Sequence, residues 1–155
     1  MKQPRREFIK AAGSAGALAV TGTLSLPALA QSAPGWNKSA FEAKSLQEVL
    51  KSLGGSTAAE SKDISITAPD IAENGAVVPI GVTSKVPGTQ GVYILVDKNP
   101  NWLAASFNIP QGTEANVATR IKMGQTSNVL ALVKANNQFF VATKEVKVTL
   151  GGCGG

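Results

Sequence analysis

Apolar positions in residues 39–53 recur at helical spacing, whereas from residue 64 onward they alternate or bunch into short runs. The chain therefore reads as one helix followed by strands. Phe41, Leu46, Val49, Leu50 and Leu53 mark the helix's apolar stripe. Ser39-x-x-Glu42 reads as its capping box and Gly54-Gly55 as its stop, giving one N-terminal amphipathic helix of about four turns. That stripe needs a surface to cover it, either in its own domain or on a partner chain.

Beyond Gly54 the period shortens to two. Ile64, Ile66 and Ala68 alternate with polar residues before Pro69, and residues 70–75 read as a loop with a Glu73-Asn74-Gly75 turn, Gly75 being free to take positive φ. Apolar runs at 77–82, 92–96 and 103–107 are bounded by Gly, Pro, Asn and Asp. In 113–123, Val117, Thr119, Ile121 and Met123 share one face, while Ala118, Arg120 and Lys122 share the other, read as a solvated one. Strands at 129–134 and 139–150 follow, joined by Asn136-Asn137-Gln138 in a tight hairpin. Phe139 and Phe140 point to opposite faces, one into the core and the other towards a subunit interface, a role Trp36 is also placed to fill. About seven short strands with regular turn signals predict an all-β, immunoglobulin-like β-sandwich spanning 31–150 together with the helix.

The first thirty residues read differently. Arg5 and Arg6 are followed by Phe8 and Lys10 in the twin-arginine pattern, and residues 11–29 carry no charge. Ala28 and Ala30 frame a small-x-small peptidase site, so 1–30 is expected to be a cleaved signal that leads the chain to the periplasm. The competing reading is a membrane anchor, but the glycines and Pro27 make a weak spanning helix, and no membrane attachment is expected after cleavage. Removing 1–30 lowers the net charge from +5 to +2, so most of the basicity belongs to the signal. With few aromatics and no Lys/Arg cluster left, nucleic-acid binding is not expected.

The chain has no histidine and one cysteine. That removes histidine-based triads, histidine-ligated zinc and any internal disulfide, and no metal or cofactor site is expected. Folded export of a chain without a cofactor motif points instead to co-export with a folded partner. The cysteine, Cys153, lies between Gly151, Gly152 and Gly154, Gly155. This glycine segment reads as a flexible arm extending up to about 17 Å. A thiol on such an arm has no fixed base, no oxyanion donors and no excluded water, so it suits presentation to another protein's active site better than catalysis. Three alternatives stay open: an incidental terminal cysteine, a thiol redox protein, and an immunoglobulin-like module assembled through an intermolecular disulfide.

The tail Gly151-Gly152-Cys153-Gly154-Gly155 resembles that of the SoxY family, the cysteine-bearing subunits of the SoxYZ sulfur carrier of thiosulfate oxidation. Ala68-Pro69-Asp70-Ile71-Ala72-Glu73-Asn74-Gly75 with Val78-Pro79 is similar to that family's central signature, as are Asn99-Pro100, Thr119-Arg120-Ile121-Lys122-Met123 and Val146-Lys147-Val148. Trp102 departs from the pattern, which has a smaller residue or proline there. The resemblance implies a carrier and not an enzyme, with thiosulfate held covalently on Cys153 as an S-thiosulfonate. It also implies a SoxZ-type subunit in a heterodimer, a haem-containing sulfur-coupling enzyme and a sulfate-releasing hydrolase as partners.

Overall fold

The computed structural model of the chain describes residues 36–149. Arg5, Arg6, Phe8, Lys10, Ala28 and Ala30 of the expected signal, and Gly151, Gly152, Cys153, Gly154 and Gly155 of the expected arm, lie outside the described residues.

The expected single helix is two. α1 (Lys38–Glu42) and α2 (Leu46–Ser52) are separated by an extended Ala43. Asn37, not Ser39, caps α1, its Oδ1 accepting from the Ala40 N–H at 3.1 Å. Ser45 caps α2 by accepting from the Glu48 N–H, and Glu48 reaches back to accept from the Lys44 N–H. The capping box is therefore Ser45-x-x-Glu48, and the cap chemistry breaks the helix where the apolar period alone runs on. Ala43 stays extended with its carbonyl accepting from the Trp102 N–H at 2.9 Å. The stop is as expected. Gly54 is left-handed at φ 82°, and the Gly55 N–H returns to the Leu50 carbonyl at 2.8 Å, a Schellman closure.

Nine strands follow among the described residues: β1 (Ala59–Glu60), β2 (Ile64–Thr67), β3 (Ile71–Ala72), β4 (Val78–Ser84), β5 (Thr89–Val96), β6 (Leu103–Asn108), β7 (Asn116–Ile121), β8 (Ser127–Ala135) and β9 (Gln138–Val148). They form a large sheet in the order β1-β9-β8-β5-β6, with β3 also on the edge of β9, and a small sheet β2-β4-β7. The two pack as the expected immunoglobulin-like sandwich. β8 and β9 join through Asn136 (φ 49°) and Asn137 (φ 61°), the left-handed pair that a two-residue hairpin needs. β1 and β3 were not foreseen; two residues each, they are too short to show a period.

The large sheet is apolar on both faces. Val92, Ile94, Val96, Val129, Ala131, Val133 and Val146 face the small sheet, meeting Ile64, Val78, Ile80, Val82 and Ile121. Tyr93, Leu95, Leu132, Phe139 and Val141 face the other way, under Ala40, Ala43, Val49 and Leu50. The helical stripe thus packs on its own domain, making a third layer. Burial there pushes the Tyr93 phenol up from its ordinary pKa. Phe139 lies under the helices, and Phe140 packs into the sandwich instead of facing a subunit interface. Trp36 stays exposed, its ring 5.6 Å from that of Phe41. Trp102 packs beneath the helices.

The cap assignment is directly testable by urea unfolding. Ser45→Ala is expected to lose about 1 kcal/mol. Ser39→Ala, whose hydroxyl only donates to Asn37 at an exposed site, is expected to lose much less.

Candidate functional site

β9 ends at Val148, and the described residues end at Thr149, four residues before Cys153. Four loops gather at this end of the sandwich: 73–77, 97–102, 122–126 and the exit of β9 itself. Asn99 ties two of them together, donating to the Lys122 carbonyl at 2.8 Å and accepting from the Gly124 N–H. Asp97 holds the start of β8, accepting from both the backbone and the side chain of Asn128.

The segment 68–77 wraps the exit. β3 runs parallel to the end of β9 in the register Ile71↔Lys147 and Ala72↔Val148, so residues 70–75 are not a plain loop as expected. Its pairing is a backbone matter that side-chain pattern does not reveal. Lys144 secures the approach: its Nζ donates to the Ala68 carbonyl at 2.7 Å and lies 3.1 Å from Asp70. Asp70 is exposed, so the carbonyl bond matters more than the ion pair. Lys144 stands in the inward register of β9 between Ala142 and Val146. An inward charge at a sheet edge also discourages strand addition there.

The turn itself is an Asx turn, with Asn74 Oδ1 accepting from the Ala76 N–H at 2.9 Å and its carbonyl accepting from Val77. Gly75 is not in the left-handed region, contrary to the sequence expectation. It is glycine because of crowding: a Cβ there would collide with the Met123 carbonyl oxygen and lie 2.8 Å from Val148 Cγ1. The Gly75 carbonyl accepts from the Met123 N–H at 2.7 Å, so the two backbones are held in direct contact. Glu73, Lys98, Lys122 and Lys147 are exposed around this exit.

Elsewhere the sequence-predicted residues separate. Arg120 is exposed on the outer face of the small sheet together with Ala118, the solvated face that the sequence predicts. A groove of about 620 Å³ runs there between Pro69, Pro79, Ala118 and Arg120. Among the described residues, no three His, Cys, Asp or Glu side chains come together as a metal site requires. The sequence reading missed Lys144, Thr126 and the reason for Gly75. Of these only Lys144 left a signal, as a charge interrupting the apolar alternation of β9.

Comparison with known proteins covers most of this body. The family model described as sulfur oxidation protein SoxY matches residues 49–153. The structure of the sulfur carrier protein SoxY from Chlorobium limicola f thiosulfatophilum is similar at 38% identity, with a TM-score of 0.54. That match covers 59% of this chain and 83% of the Chlorobium chain. A structure of the bacterial superantigen toxic shock syndrome toxin-1 is matched at 11% identity with a TM-score of 0.38, covering 56% of this chain and 99% of that one, and carries no argument. None of the curated proteins matches the sequence.

The contact at Gly75 makes a clear expectation for thermal unfolding. Gly75→Ala is expected to cost about 1–3 kcal/mol through overpacking. Gly124→Ala, at a position with open space and no positive φ, is expected to be neutral or slightly stabilising.

Proposed function

The chain belongs to the SoxY family of sulfur oxidation proteins, and from that premise we propose that it is a periplasmic sulfur carrier whose cargo is bound covalently at Cys153. The observation that carries this reading is that the family match runs through Cys153 itself, the one cysteine of the chain. The cysteine stands five residues beyond Val148, the last paired residue of β9, so the body supplies a fixed origin and the C-terminal segment supplies the reactive group.

The chemistry assigned to the thiol is oxidative coupling. Thiosulfate and the Cys153 thiol join through a new S–S bond to give an S-thiosulfonate, releasing one proton and two electrons. The electrons pass to a haem-containing partner, since this chain has no group to accept them. Water then cleaves the terminal sulfonate as sulfate on a separate hydrolase, leaving the remaining sulfur on the cysteine. In this scheme the chain is a substrate carrier acted on by enzymes. The glycines flanking Cys153 have no side chains to obstruct entry into a narrow active-site channel. A SoxZ-type subunit is its proposed heterodimer partner. Co-export with that folded subunit gives a reason for a twin-arginine signal on a chain without a cofactor motif.

Cys153→Ser tests the reading. Thiosulfate oxidation reconstituted with the Sox enzymes is expected to fall at least 100-fold, while folding and heterodimer formation persist. A variant that oxidises thiosulfate at the wild-type rate contradicts the proposal. Loss of the heterodimer itself would identify Cys153 as an assembly disulfide instead.

A further inference from the structure

The wrap 68–77 grips the end of β9 at two places. Along β3, Lys147 donates its N–H to the Asp70 carbonyl at 3.0 Å and Thr149 donates to Ala72 at 3.1 Å. On the other edge the Val148 N–H donates to Thr126 Oγ1 at 3.0 Å, a hydroxyl where β8 has no carbonyl left to offer. Beyond β3 the grip is the turn at Asn74 and Gly75, the one Asn-Gly step in the sequence. In such a step the glycine nitrogen attacks the asparagine Cγ. An N–C bond forms, ammonia leaves, and water reopens the resulting succinimide to aspartate or isoaspartate. Glycine has no Cβ to shield the attacking nitrogen. Asn74 is exposed to water, and among the described residues no acceptor occupies the Gly75 N–H.

What the native turn withholds is geometry. An asparagine whose side chain caps the next-but-one amide keeps an extended backbone, as at a helix N-cap. Ring closure needs the opposite rotation about its Cα–C bond, to swing the Gly75 nitrogen onto Cγ. That rotation breaks both Asn74 bonds, the one from the Ala76 N–H to Oδ1 at 2.9 Å and the one from the Val77 N–H to the carbonyl at 3.2 Å. It also pulls Gly75 from the Met123 N–H and from its packing on Val148. Isoaspartate carries the backbone through Cβ, one carbon longer, beside a glycine that has no room to shift towards Met123 or Val148. It also places a second carboxylate next to Glu73.

We propose that Asn74 is a modification site gated by the wrap: it loses ammonia only when 73–77 lifts from the end of β9, and conversion to isoaspartate prevents the turn from closing again. The β3 pairing and the Thr126 bond stay made, so the opening is local. Nothing in this gating depends on sulfur or on the carrier reading.

The experiment incubates the full chain as wild type, Val148→Ala and Val49→Ala in mildly alkaline buffer and maps the peptide containing Asn74 over time. Wild type unfolded in guanidinium chloride sets the ungated rate. Native wild type is expected to convert at least about tenfold more slowly, since two hydrogen bonds must open first. Val148→Ala loosens the packing on Gly75 and is expected to speed native conversion about fivefold. Val49→Ala weakens the helix layer, leaves the wrap intact and is expected to leave the rate unchanged. In the purified isoaspartate form the Met123 amide is expected to exchange about tenfold faster than in wild type, with Val133 unaffected. Native conversion as fast as the unfolded chain's, no conversion in either state, no acceleration by Val148→Ala, equal acceleration by both alanine variants, or an isoaspartate form with Met123 still protected each overturns the proposal.

Discussion

The structure depends on β9 being occupied on both faces and along both edges. Phe139 and Val141 fill the space under the helices, while Phe140, Ala142, Val146 and Val148 turn towards the small sheet. One edge carries the whole hairpin ladder to β8; the other carries β1 near its start and β3 near its end. Because both faces are apolar, the large sheet has to be covered twice, which places the helices on one side and the small sheet on the other. Because the second edge is only partly paired, the chain must cross from sheet to sheet through 61–63, 68–70 and 73–77. The last two of these crossings hold the end of β9 in place.

Much of this was legible. The alternation in β7 and the stop at Gly54-Gly55 follow from local chemistry and form as read; the tight hairpin read at Asn136-Asn137-Gln138 forms too, with Gln138 already paired in β9. The unbroken helix failed because apolar spacing cannot distinguish one helix from two that share a stripe; the caps Asn37 and Ser45 decide that. β1 and β3 escaped because two-residue strands are defined by their partners and carry no period of their own. Gly75 was rightly singled out for the wrong reason. A sequence shows that glycine is present, while only the fold shows that Met123 and Val148 leave no room for a side chain. Thr126 was invisible because a hydroxyl substituting for a carbonyl depends on where two strands end.

The division between body and tail gives the family resemblance its physical sense. Catalytic groups need rigid mutual placement, and the described residues bring no such constellation together around the end of β9. A carrier has the opposite requirement, with one reactive atom that travels a limited and reproducible distance from a fixed origin. The bonds to Asp70, Ala72 and Thr126 supply that origin.

The central claim is that Cys153 carries sulfur covalently, and the most direct measurement is the intact mass of the protein from cells oxidising thiosulfate, followed by mapping of its C-terminal peptide. A reductant-labile mass increase of sulfur or thiosulfate, localised to Cys153, is the predicted result. A bare thiol, or only a protein–protein disulfide, in cells actively consuming thiosulfate would contradict it.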